Sequence, residues 1–278
     1  MLTTMAVIAA LTMTPGQGTG GLNLTNARAT YGELGSVRQD TKLVQGDIFF
    51  LSYDIEGLTV SEVGRVRYGM GMEVLDAAGK SIFKQQPVER DDFLPLGGNK
   101  LPARAFVTIG FDQPPGQYTL KVTVTDLANK EKPVAKTIEQ KFEVIPLAYG
   151  LVRVFTSSDS EGKIPAPLIG VAGQSMWVHF VVVDFKRDAT SKQPNVTIEM
   201  TVYDKDSKPT LPKPNVKQVP DESDGKVDEK ALGVPMQFPV PLNREGGFMI
   251  ELKATDNITK KSTKMYLPLQ VFPSATNR

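Results

Sequence analysis

The chain has one histidine, His179, and that residue limits how much proton-transfer chemistry the sequence can offer. A serine nucleophile needs a histidine to take its proton and an acid to orient that histidine. His179 lies inside an apolar run, SMWVHFVVVDF (residues 175–185), and no Gly-x-Ser-x-Gly elbow occurs anywhere. There is no cysteine, which removes thiolate nucleophiles, disulfides, Cys-based zinc sites and lipid attachment through an N-terminal cysteine. Neither a Walker-type loop nor a strand-linked G-x-G-x-x-G is present to cradle a phosphate. Carboxylates paired from distant positions leave no spacing motif. No catalytic or cofactor-binding residue is assigned, and the chain is read as a non-enzyme.

Oxygen ligands for a hard cation are the other candidates. DFKRD (184–188), YDKDSK (203–208), ERDD (89–92) and PDESDGKVDE (220–229) gather carboxylates in segments read as loops, where calcium could bind. None has EF-hand spacing, and the last puts serine and glycine where the third and fifth ligands belong. Solvated charge is the plainer account, so no metal ligand is assigned and calcium is the one ion left open. Asp76, Asp126, Asp204 and Asp256 close strand-like runs; an aspartate there bonds N–H groups of the following turn, and these four are read as caps. N-x-T triplets begin at Asn23, Asn195 and Asn257, and are acceptors only where a secretory pathway glycosylates them.

The elements that hold these residues come in two copies. VQGDIFFLSYDI (44–55) matches VAGQSMWVHFVV (171–182), and YGMGMEVLDAAGK (68–80) matches VTIEMTVYDKDSK (196–208). GQYTLKVTVTD (116–126) matches GGFMIELKATD (246–256), with Tyr118 on Phe248 and Asp126 on Asp256. Three matches in the same order predict a duplication. Apolar residues alternate with polar ones along each run, which is strand periodicity. Turn-forming clusters such as DAAGK, QPPGQ, NREGG and DNITK separate them about every ten residues. The pattern predicts an all-β chain of two tandem antiparallel β-sandwiches, about seven strands each. The expected division is a signal peptide or disordered N-terminal segment over 1–21, sandwiches over 22–146 and 147–273, and a tail over 274–278. Long polar connections follow the third strand of each half, the longer at residues 207–233.

Both halves resemble immunoglobulin-like or fibronectin type III-like domains of bacterial exported proteins. The Gly-x-aromatic-x-apolar segments ending in Thr-Asp carry the resemblance, across residues 22–272 or so. It implies a tyrosine corner at Tyr118, whose hydroxyl would bond backbone near the preceding turn, a device that Phe248 cannot use. The Cys-Trp-Cys signature of antibody domains is missing.

One face stands out. If Met176, Val178, Phe180 and Val182 point into the core, the opposite face of that strand reads Trp177, His179, Val181 and Val183, too apolar for routine exposure. Three readings stay open: a reversed register with Trp177 in the core, a face covered by the long loop or the other half, or a partner-binding surface anchored by Trp177.

Bulk properties narrow the rest. Thirty-two basic and 31 acidic residues leave a net charge of +1, so no nucleic-acid footprint is expected. The apolar N-terminal run lacks a basic start and is too short to span a bilayer; read as an export signal, it places the chain in the periplasm or outside the cell, with no stable membrane insertion after removal. The functional expectation is an exported structural, adhesive or scaffolding protein that binds an envelope or extracellular protein through sandwich loops or edge strands, with no small-molecule ligand. Alternatives are a carbohydrate-binding module using sheet-face aromatics and an accessory domain pair of an envelope enzyme system.

Overall fold

The computed structural model describes residues 21–128, 133–221 and 225–274. Almost all of the expected export segment, the C-terminal tail beyond Ser274 and the centre of PDESDGKVDE lie outside the described residues. The described chain is all-β, and no helix is long and apolar enough to cross a membrane.

The first half contributes β1 (Asn23–Thr30), β2 (Lys42–Val44), β3 (Ile48–Glu56), β4 (Arg65–Leu75), β5 (Ser81–Phe93), β6 (Lys100–Thr108), β7 (Gly116–Asp126) and β8 (Val134–Ile145). The second contributes β9 (Gly150–Ser157), β10 (Ile169–Val171), β11 (Ser175–Val183), β12 (Val196–Asp204), β13 (Asn215–Val219), β14 (Gly233–Pro241), β15 (Gly246–Asp256) and β16 (Ser262–Phe272). In each half a three-stranded sheet faces a five-stranded one: β1-β3-β6 and β2-β8-β7-β4-β5, then β9-β11-β14 and β10-β16-β15-β12-β13.

Alternation places the cores. Phe49, Leu51, Tyr53 and Ile55 of β3 meet Leu120, Val122 and Val124 of β7 and Phe142 of β8 in one cluster. Met176, Val178, Phe180 and Val182 of β11 meet Ile198, Phe238, Ile250 and Leu252 in a second. Each such side chain, fully buried, contributes roughly 1.5–3 kcal/mol.

Three features depart from expectation. The short β2 and β10 run parallel to β8 and β16, because the chain leaves one sheet after β1 or β9 and crosses to the edge of the other; with them the described residues of each half form eight strands. The connections expected after the third strands contain β5 and β13. ERDD therefore lies on a strand, where Glu89 pairs with Arg67, Asp91 with Arg65, and Tyr68 donates to Asp92. Cross-strand partners of this kind let a charged edge strand form without an apolar repeat.

Candidate functional site: a joint and two seams

The face holding Trp177, His179, Val181 and Val183 lies outside the sandwich core, on the central strand of the second three-stranded sheet. The core takes Met176, Val178, Phe180 and Val182, so the register is not reversed. Trp177 is half-buried between Ser157 and Pro239 of the neighbouring strands. His179 stacks on Phe155 at 4.7 Å between ring centroids. Its Nε2 lies 2.6 Å from Ser157 Oγ, which donates its own proton to the Asp159 carbonyl, so the ring donates from Nε2. Burial lowers the His179 pKa below its ordinary 6.5, and nearby Asp159 offsets part of that shift. Ser157 is fully buried, and its bond to the imidazole ties β9 to β11. Val183 is fully buried, and Val181 lies opposite the buried Val152. Of the four residues, Trp177, His179 and Val181 retain partial exposure.

A bulge makes this face. Arg153 has φ 52°, and the β9–β11 register slips between His179 and Val181. An extra residue in one strand bends it and re-aims the side chains next along it: Val152 points outward beside Val181, Val154 enters the core, and Phe155 covers His179.

The same bulge docks onto the first half. The turn between β2 and β3 presents Gln45, Gly46 and Asp47. Asp47 Oδ1 accepts from the Arg153 N–H at 2.8 Å, and the Arg153 Nε–H donates to the Gly46 carbonyl at 2.7 Å. Gln45 accepts from the Leu147 N–H in the connecting segment and donates to the Gln113 carbonyl. Asp47 Oδ2 pairs at 3.0 Å with Arg38, both side chains under a tenth exposed, and the Arg38 guanidinium lies over the Tyr31 ring. On the other side of the joint, Gly32 meets Phe155 so closely that a Cβ there would fall 2.5 Å from Phe155 Cβ. The first half thus covers part of the apolar face through Gly32 and Phe155. Sequence reasoning missed Arg38, Gln45, Asp47 and Arg153. The available signals were Gln45 and Asp47, which stand where the second copy has Ala172 and Gln174.

The caps stand where spacing put them. Asp76 accepts from the Ala78 and Lys80 N–H groups, and Asp204 from those of Asp206 and Lys208. Asp126 and Asp256 also reach across the sandwich, Asp126 to the N–H and hydroxyl of Thr59 and Asp256 to the Lys186 N–H. Burial acts to raise the Asp256 pKa, but the bonds from Lys186, Ile258 and Thr259 outweigh it and hold the carboxyl below 3.8. The Tyr118 hydroxyl donates to the Pro114 carbonyl and accepts from Gln113, both at 2.7 Å. In the second copy, Arg244 stacks over Phe248 instead.

Each half is open along one side, between the edge strands of its two sheets. In the first half the seam is a cleft of about 530 Å³ between β5 and β6, walled by Ile82, Phe83, Phe106 and Val107 and floored by Met72 and Phe142. Its counterpart of about 550 Å³ opens beside β12 and β14 and takes Lys213 and Arg244 into its lining. Among the described residues, no group of three or more His, Asp or Glu side chains could hold a metal ion.

No protein-family model matches the chain, and no curated protein does. Among solved structures, dimeric latent PorU from Porphyromonas gingivalis is similar over 93% of this chain and 21% of that one, at 11% identity and a TM-score of 0.39. The C-terminal domain of the AgI/II polypeptide BspA from Streptococcus agalactiae is similar over 89% and 100%, at 9% identity and a TM-score of 0.29. The DNA glycosylase AlkC from Pseudomonas fluorescens matches over 47% of this chain and 32%, about a third, of its own length, at 12% identity and a TM-score of 0.30. Similarity at this level assigns no function.

Proposed function

We propose that the chain is a non-catalytic exported scaffold: two tandem immunoglobulin-like sandwiches, residues 22–146 and 147–273, that present loops and edge strands to a protein partner in the envelope or extracellular space. The strand order supports the fold reading, since β1, β3 and β6 occupy the places of strands A, B and E, and β4, β7 and β8 those of C, F and G. The joint is the observation that carries the functional reading. A nearly buried Arg38–Asp47 pair, two bonds to Arg153 and one to the connecting segment fix how the halves meet. Buried ion pairs add little net stability but can specify one geometry, which is what a rigid presenting element needs. A photo-crosslinking residue at Leu96, which is 99% exposed, tests this in intact source cells. A discrete adduct in the envelope or secreted fraction is expected; recovery in the cytosol without an adduct overturns the reading.

The carbohydrate alternative draws on a different face. Tyr266 lies opposite Glu251 in the five-stranded sheet of the second half, and Tyr203 lies opposite Met249, two positions along β15 and on the same face. Tyr266 is half-exposed, whereas Trp177 faces Ser157 and Pro239 directly, and the aromatic next along β9, Phe155, is stacked on His179. Calorimetry with oligosaccharides on the wild type and Tyr266→Ala decides this reading; no heat with either protein eliminates it.

A further inference from the structure

The two seams are equivalent in position but not in backbone chemistry. Gly57 donates to Asn99 and Ile109 donates to Asp47 across the β3–β6 ladder. Bonded pairs alternate in an antiparallel ladder, so Leu101, Ala103, Ala105 and Val107 bond to β3, while Pro102, Arg104, Phe106 and Thr108 turn their backbone groups outward to the seam. In the second half, Leu242 donates to Gln174, and the same counting turns Pro235, Gln237, Pro239 and Pro241 outward on β14. Proline has no N–H to give. The second edge therefore offers one N–H, that of Gln237, across the stretch where the first offers three in succession.

We propose that the β6 edge of the first half accepts an added β-strand from a protein partner, as the fourth strand of the β1-β3-β6 sheet, and that the incoming segment is extended, uncharged and apolar on its inward face. This names the attachment point within the scaffold reading above and rests on it. The three-stranded sheet lacks the fourth member that many sandwiches place beside strand E. Unpaired ladder groups at Arg104, Phe106 and Thr108 call for a peptide backbone, not a purely apolar small molecule. Charge decides the side chains. Among the described residues no charged one lines this cleft, and the charges on β6 are engaged elsewhere, Arg104 with Glu33 and Lys100 with Asp54 and Glu56. A charged inward residue on the guest would be desolvated without a partner. Ile82, Phe83 and Phe106, each 44–50% exposed, are the apolar surface such a strand would cover. The second seam is the contrast: its prolines close the edge, and it carries Lys213 and Arg244 in the lining and Lys217 over the Phe238 ring.

The test uses the full chain and a capped (Thr-Val)4 peptide, with a second peptide carrying aspartate at one valine. Amide exchange is read at Arg104, Phe106 and Thr108. Protection of these amides by the uncharged peptide, at least about tenfold weaker for the aspartate peptide, is expected. Phe106→Pro with Thr108→Pro, which gives β6 the residues that β14 already carries, should weaken the uncharged peptide by a similar factor. Phe83→Lys leaves the β6 backbone untouched and should do the same through the cleft wall. Equal binding to wild type and the double-proline chain overturns the proposal, as does the absence of protection at saturating peptide. Protection that grows with protein concentration alone assigns the edge to a second copy and also overturns it. If the Leu96 adduct persists in the double-proline chain, the β6 assignment fails while the scaffold reading stands. Peptide protection without any adduct fails the scaffold reading alone.

Discussion

Tyr118 and Asp256 illustrate how single side chains hold a sandwich together. The Tyr118 hydroxyl sits between Gln113 and the Pro114 carbonyl, so Tyr118→Phe leaves two polar atoms without their partner and should cost about 1–2 kcal/mol in a urea melt. The copy at Phe248 shows that the position tolerates the ring alone when Arg244 covers it, so the variant should fold. Asp256 controls acid sensitivity. Its carboxyl is held below the 3.8 of the unfolded chain, so the native state favours the ionised form. That stabilisation is complete above pH 3.8 and is lost as pH falls through the lower, folded value. Urea melts at successive pH values below 4 should show wild-type stability falling more steeply than that of Asp256→Asn; parallel curves would contradict this. The caps were legible because each makes a local bond, two to four residues along the chain, that spacing can encode, whereas the bond of Tyr118 was implied by the resemblance of its strand to immunoglobulin-like domains.

The strands themselves were legible wherever one face meets a core. β3, β7, β11 and β15 alternate clearly because their inward residues are fully buried. β5 and β13 were not, because an edge strand with both faces near water needs no apolar repeat; its register comes from pairs such as Arg67–Glu89, visible only once β4 is alongside. The bulge at Arg153 was hidden for a similar reason: nothing in an arginine announces φ 52°. At this scale the loop after β1 can be tested through Gly32. It has φ +71°, and a Cβ there meets Phe155 at 2.5 Å, whereas Gly79, at φ +79°, has nothing within 4 Å. Gly79→Ala should therefore cost about 1 kcal/mol for backbone strain alone, and Gly32→Ala roughly 1–3 kcal/mol more. Equal losses in thermal melts would mean that Phe155 yields freely and the loop does not grip it.

For the whole molecule, the joint at Asp47 is the least legible feature and the one with the largest expected effect. Arg38, Gln45 and Asp47 lie within ten residues of one another, but Arg153 is more than a hundred residues further along and meets them only when both cores have formed. Asp47→Ala strands Arg38 in a nearly buried site and removes the acceptor for the Arg153 N–H. Breaking a buried pair from one side costs about 3–5 kcal/mol, so the variant should melt well below wild type, and its small-angle scattering profile should broaden as the halves gain freedom. An unchanged profile would show that the connecting segment alone sets the geometry.

The parallel pairing of β2 with β8, and of β10 with β16, also has a mechanical meaning. In each half these strands lie close to the chain's entry and exit, Lys42 against Glu143 and Ile169 against Gln270. Tension applied through the chain pulls such neighbours in opposite directions along their length, so their hydrogen bonds are loaded together in shear and do not unzip one at a time. Each half should hold under force until its clamp gives way, then lengthen in one step, so that stretching between residues 21 and 274 yields two discrete extensions.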